Sequence, residues 1–324
     1  MFSVVIPLFN KANYIEKAIH SILSQTCTNF EIIVIDDGST DEGNQVVKSI
    51  NDHRIHLISQ FNSGASVARN NGVKLAKYEY VAFLDADDWW DCHFLEEMKN
   101  LVIACPEAAL LGSNYFVVKH QTNYPAQIGL GNNFKVGYID YFKVYSSTFW
   151  VPINCSFVVV NKNIFEKVGG FKPQLKFGED FDLWARLALG YKTAYVNKYL
   201  AYSNQDVDPG NRALGLEKKW KKAEHVIFNL GYLEEEEKQN TDLKYLLDGL
   251  RVRSLAGFYL AGLYNSEVSQ LLPEVDFSRQ PFLYWFIYKY PRPVVHFYFR
   301  FKKMGSQVKQ WLFKHRPLKI TNDS

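Results

Sequence analysis

The chain has 324 residues, 47% hydrophobic and 22% charged, which is enough apolar material for one large or two modest cores and excludes a largely disordered protein. Its formal charge is only +3, and it has no run of about 18 apolar residues, so a spanning helix is not expected. No basic segment with a longer apolar core precedes Ser3-Val4-Val5, so no secretory signal is expected, and four cysteines without Cys-x-x-Cys spacing suggest a reducing compartment and structural roles.

Val4-Val5-Ile6 reads as a short strand that Pro7-Leu8-Phe9-Asn10 ends, because proline cannot donate to a ladder. Ile15, Ala18, Ile19, Ile22 and Leu23 recur at helical spacing over 12–25. A second strand over 30–35 runs into Asp36-Asp37-Gly38-Ser39-Thr40-Asp41, where Ser39 or Thr40 would cap a helix over 42–50. A third strand, 55–58, leads through Asn62-Ser63-Gly64 to a helix over 66–77. The run Tyr-Val-Ala-Phe-Leu at 80–84 forms a fourth strand that stops at Asp85-Ala86-Asp87-Asp88, ahead of a helix over 91–101.

Four strand–helix repeats in about one hundred residues predict a parallel sheet with helices on both faces. The acidic cluster then lies at a strand's C-terminal edge, where open α/β sheets bind ligands, and hard oxygen donors two residues apart suit Mg²⁺ or Mn²⁺ on a diphosphate. Helix capping by Asp87 and Asp88 is the alternative. A dinucleotide-binding domain would need a glycine-rich turn after the first strand, and Pro7-Leu8-Phe9-Asn10-Lys11 has no glycine.

A strand is expected over 108–118, a long loop with short helical turns over 119–150, a strand over 155–160, a helix over 162–168 and a turn at Gly169-Gly170-Phe171. Phe181, Trp184, Leu187 and Ala188 share one face of a helix that starts at Glu179-Asp180, whose carboxylates fall in the favourable first turn. A last strand is expected over 193–196, and helices over 216–230 and 234–262 follow.

Four separated blocks resemble family-2 glycosyltransferases of the GT-A type over residues 1–205. They are Val4–Asn10, Ile35–Asp41, Ala68-Arg69-Asn70-Asn71-Gly72 with Phe83–Asp88, and Val168–Phe171 with Gly178-Glu179-Asp180-Phe181-Asp182-Leu183-Trp184. The resemblance implies an open mixed α/β sheet flanked by helices, with a Rossmann-like nucleotide-binding half, and then a mainly α-helical C-terminal region. The corresponding domains are 1–210 and 211–324. It implies an inverting transfer from a nucleoside-diphosphate sugar, expected to be a UDP-sugar, to a glycan or lipid-linked acceptor on the cytoplasmic side of a bacterial membrane.

In that family Pro7, Phe9 and Asn10 would hold the base, although core packing is the plain alternative for Phe9. Asp37 would accept from the base's ring N–H, or else cap the next helix. Arg69 would reach the base or diphosphate with its planar fork. Asp85 would contact ribose or a metal-bound water, and Asp87 would bind Mn²⁺ or Mg²⁺. Asp180 would be the general base, with Glu179, Gly170 and Asp88 near the acceptor or donor sugar. Relatives often carry a histidine after the last strand; Tyr202-Ser203-Asn204-Gln205-Asp206 has none, so either Asp206 substitutes or the metal has fewer protein ligands, and the third ligand is open.

Residues 279–324 hold ten Lys or Arg and one acid, leaving about +9 there and −6 elsewhere, interleaved with aromatics. No nucleic-acid motif accompanies them. Membrane-surface contact and a helical subdomain that packs on the catalytic domain or forms a homodimer are both open. A non-catalytic nucleotide-sugar-binding scaffold and a nucleotidyltransferase are the competing functions; the first would be expected to lack one of Asp37, Asp85, Asp87 and Asp180, and the second to show a basic glycine-rich loop.

Overall fold

The computed structural model describes residues 1–131, 133–207 and 220–301. The chain divides into two compact units, Met1–Leu246 and Leu247–Ser324.

The first unit is built on one mixed sheet of ten strands: β1 (Phe2–Leu8), β2 (Phe30–Asp36), β3 (Ile55–Ser59), β4 (Tyr80–Phe83), β5 (Trp89–Trp90), β6 (Ala108–Lys119), β7 (Thr122–Pro125), β8 (Val136–Ile139), β9 (Val158–Asn161) and β10 (Lys192–Asn204). Their order is β3-β2-β1-β4-β9-β6-β10-β5, with β7 on β6 and β8 on β10. The half made of β3, β2, β1 and β4 is parallel, as the strand–helix repeats predict, and β9 runs antiparallel between β4 and β6. Every residue of β2 is buried, which is why Phe-Glu-Ile-Ile-Val-Ile-Asp reads as an almost continuous apolar run rather than an alternation.

Helices flank this sheet: α1 (Ala12–Leu23), α2 (Gly43–Ser49), α3 (Ala65–Leu75), α4 (Phe94–Ala104), α5 (Tyr141–Thr148), α6 (Lys162–Lys167) and α7 (Glu179–Gly190). The expected positions Ile15, Ala18, Ile19 and Ile22 of α1 join Val4, Ile6, Ile32 and Val34 of the strands and Phe94, Met98 and Leu101 of α4 in one apolar core. Gly72 lets α3 lie directly on β1, since a Cβ there would come within 2.3 Å of Val5 Cγ1. Helix close approach is thus what this glycine supplies.

Several local expectations are corrected. Residues 119–150 are not a long loop: they contain β7, β8 and α5, because edge pairing to β6 and β10 organises polar, weakly periodic segments. The helix after the acidic cluster starts at Phe94, and Trp89–Trp90 instead pairs with β10, so Asp87 and Asp88 cap nothing. The last strand is far longer than 193–196. Of the helix expected over 216–230, residues up to 219 lie outside the described part, and Lys222–Glu224 and Val226–Phe228 are separate 3₁₀ turns. The helix expected over 234–262 is broken at Asn240 into α8 (Glu234–Gln239) and α9 (Thr241–Leu260), where the Asn240 side chain accepts from the N–H groups of Asp242 and Leu243 and so caps the second.

The second unit adds α10 (Asn265–Leu271), α11 (Phe282–Lys289) and a helical stretch over 292–301. Inside it, Asp248 accepts from the Asp276 N–H at 3.1 Å, and the Tyr288 hydroxyl donates to the Val252 carbonyl at 2.8 Å.

Candidate active site

Sheet register gathers the motifs. Leu8 stands beside Asp36, Asp36 beside Ser59, and Val5 beside Phe83, so the turns that leave β1, β2 and β4 share one edge. Because β9 is antiparallel, with Val158 opposite Phe83, the segment entering it brings Ser156 to that same edge.

The first two motifs are latched together there. Asn10 takes a left-handed backbone, φ 52°, and its side-chain oxygen accepts from the N–H and hydroxyl of Thr40 at 2.8 and 3.2 Å. Phe9 is 44% exposed, so it is not a core residue, and Pro7 is half-buried. Asp41, rather than Ser39 or Thr40, serves the helix starts: its two oxygens accept from Gly43 N of α2 at 3.0 Å and Ala12 N of α1 at 2.8 Å. One carboxylate thereby meets the positive ends of two helices. Asp37 is buried, and it accepts from Gln60 Nε2 at 2.7 Å and from the Ser63 and Gly64 N–H groups, each at 2.8 Å. It therefore fixes the loop that enters α3. Three of the four or so lone-pair positions of a carboxylate are used in this way.

The acidic turn directs its carboxylates to different partners. Asp85 Oδ1 accepts from Arg69 Nη2 at 2.7 Å, and Arg69 Nη1 donates to Glu179 Oε1 at 3.1 Å. Arg69, buried on α3, therefore bridges the two acidic motifs, which lie almost a hundred residues apart in sequence. Asp87 Oδ2 is paired with the Lys11 ammonium. Asp88 is buried and accepts from Asn204 N at 2.7 Å, anchoring the end of β10. Burial, followed by the charges of Asp87 and Asp85, pushes the Asp88 carboxyl well up; burial, with Asp85 adding, also raises Asp87 in spite of Lys11.

Asp85 and Asp87 present hard oxygen donors two residues apart at the sheet's C-terminal edge, a donor set that fits Mg²⁺ or Mn²⁺. Among the described residues, Asp91, Cys92 and His93 also bring ligand atoms within 4.8 Å of one another, but these three neighbours hydrogen-bond among themselves through His93 Nδ1.

Asp180 occupies the first turn of α7, half-buried, with its Oδ1 accepting from Phe181 N at 2.7 Å. Burial and then the neighbouring Glu179 charge push its carboxyl up to about 7. Asp182 is instead structural: fully buried, it holds Lys172 at 2.7 Å and Arg186 at 2.7 Å. Arg186 also donates to the carbonyls of Val168 and Gly170. Gly170 has φ 62°, and a Cβ on it would meet Asn70 Oδ1 at 2.7 Å. Turn conformation and packing therefore account for this glycine.

Asp206 accepts from His120 N at 2.8 Å and Gln121 N at 2.9 Å, securing the β6–β7 turn. It also lines a cleft of about 370 Å³ with Asp87, Trp89, Lys17, Tyr14 and Asn204.

The contacts that sequence reasoning missed are those of Lys11, Asn70, Ser156 and Asn204. Asn70 both donates to Phe171 O at 2.8 Å and accepts from Phe171 N at 3.0 Å. Its place beside Arg69 in the third motif was the available signal. The Lys11–Asp87 pair spans 76 residues and leaves no local trace.

Comparison with known proteins gives concordant findings. The family model described as glycosyl transferase family 2 matches residues 3–168. Glycosyltransferase GlyA of Streptococcus pneumoniae is 31% identical over 61% of this chain, but the match spans only 30% of GlyA. The protein named putative teichuronic acid biosynthesis glycosyltransferase TuaG, of Bacillus subtilis, is 31% identical over 62% of this chain and 77% of its own length. Among solved structures, S. aureus TarS 1-349 in complex with UDP-GlcNAc superposes with a TM-score of 0.66 at 19% identity, covering 84% of this chain and 79% of that one. The likeness to TarS establishes the fold alone.

Proposed function

The chain belongs to glycosyl transferase family 2, and from that premise we propose that it transfers a sugar, with inversion, from a nucleoside-diphosphate sugar to an acceptor hydroxyl. The observation that carries this reading is Asp180: a carboxyl held at about 7, in a helix's first turn, next to the Glu179–Arg69–Asp85 bridge. A base poised near neutral pH can take a proton efficiently at working pH.

In this reading Asp180 removes the acceptor hydroxyl's proton as that oxygen bonds to the anomeric carbon. The anomeric carbon–phosphate oxygen bond breaks on the opposite face, and the nucleoside diphosphate leaves with the electron pair. Glu179 and Asp85 hold Arg69 so that its guanidinium supplies positive charge beside the leaving group. Lys11 adds a second cation at Asp87. Asp85 and Asp87 would hold Mg²⁺ or Mn²⁺, which when bound supplies leaving-group charge neutralisation. Exposed Phe9 with Pro7 and Asn10 offers a flat surface to the base, and Asp37 fixes the adjoining loop.

TarS in its UDP-GlcNAc complex supports a UDP-sugar donor, and TuaG supports an acceptor of the surface-glycan class. The chemistry is assigned to residues 1–210. A reducing, cytoplasmic compartment belongs to the same reading, on the four cysteines without Cys-x-x-Cys spacing.

Calorimetric titration of UDP and GDP, with and without Mn²⁺, into wild type and Asp87→Ala is the direct test. Metal-dependent UDP binding that the substitution weakens is expected. Folded protein that binds neither nucleotide would overturn the reading and favour a non-catalytic scaffold.

A further inference from the structure

We propose that the 292–301 helical stretch is a docking surface for an anionic lipid bilayer, lying in the headgroup region through an outward row of Val294, Phe297, Tyr298 and Phe301. These four fall at i, i+3, i+4 and i+7, one face of a helix. They are 45%, 69%, 42% and 68% exposed, whereas Val295 is fully buried and Phe299 half-buried, so the stretch packs inward on one side and presents apolar surface on the other. Isolated exposed hydrophobics are ordinary, but a contiguous aromatic row on a helix is an interaction surface.

Charge identifies the occupant. Between Asp276 and Asp323 the chain contains no acidic residue, while Lys289 and Arg300 border or belong to the stretch. Phe and Tyr flanked by Lys and Arg match the depth profile of a membrane interface, with rings among headgroups and cations on anionic lipid. No helix among the described residues is long and apolar enough to cross a membrane. His296 is tied to the Leu260 carbonyl at 3.1 Å and Arg292 to Asn265, which fixes which side faces outward. This inference stands apart from the catalytic reading and uses none of its residues.

The test is co-sedimentation of the full chain with vesicles of phosphatidylcholine alone and of phosphatidylcholine with phosphatidylglycerol, at low and high salt. The bound fraction is expected to rise about tenfold with phosphatidylglycerol, to fall with salt, and to drop about tenfold in a Phe297→Ser/Phe301→Ser double variant. Both side chains are exposed, so the variant should keep its circular dichroism and melting temperature. Two results overturn the proposal. One is vesicle binding that the double variant leaves unchanged. The other is absent vesicle binding; a dimer by light scattering that the double variant converts to monomer would then make the row a contact between copies.

Discussion

Asp180 combines two properties that pull in opposite directions. Its carboxyl, ordinarily near 3.8, titrates at about 7 in the fold, so the native state holds the proton more tightly than the unfolded chain. Stability therefore falls as pH rises through the window from about 4 to about 7, and the ionised form needed for catalysis is the less stable one. The transfer rate should accordingly climb as pH passes 7 and then level off, which a pH profile of kcat would report. Asp180→Asn should cut transfer by about 10²–10⁴-fold and raise the melting temperature at pH 8 relative to wild type, with the gain vanishing near pH 4. An unchanged rate would remove Asp180 from the base role. Asp182, two residues on, behaves otherwise. Asp182→Ala leaves Lys172 and Arg186 without their buried partner and should destabilise by about 3–5 kcal/mol in a denaturant titration.

At the scale of elements, α3 does the positioning. It lies flat on β1 through Gly72, presents Arg69 to both acidic motifs, and clasps the 169–171 turn through Asn70. Gly72→Ala would force a methyl against Val5 and should cost about 1–3 kcal/mol by urea unfolding. Because the helix must then shift, UDP affinity should fall as well; destabilisation with full affinity would show that α3 does not carry the site. Much of this was readable: Ala68-Arg69-Asn70-Asn71-Gly72 stood out as a motif, and apolar spacing located α1, β2 and β4. The Arg69 bridge was not, since a helix presents an arginine to whatever the sheet order brings near it.

For the molecule as a whole, ligand linkage offers the broadest check. If Asp85 and Asp87 hold a divalent ion with the nucleotide, UDP plus Mn²⁺ at about a hundred times its Kd should stabilise the chain by about 2.7 kcal/mol, and EDTA should abolish most of that gain. Differential scanning calorimetry of wild type and Asp87→Ala would read both effects, and the variant should show neither.

The sequence by itself determined the parallel half of the sheet, the placement of its acidic turn at a C-terminal edge and the family, because buried parallel strands and their following turns are local patterns with short spacing. Tertiary structure alone decided that β9 enters antiparallel and brings Ser156 to the site, that 119–150 contains edge strands, and that Lys11 and Asn204 hold Asp87 and Asp88. Those features depend on which strands become neighbours, and neighbour choice is set by burial across the whole sheet rather than by any stretch of chain.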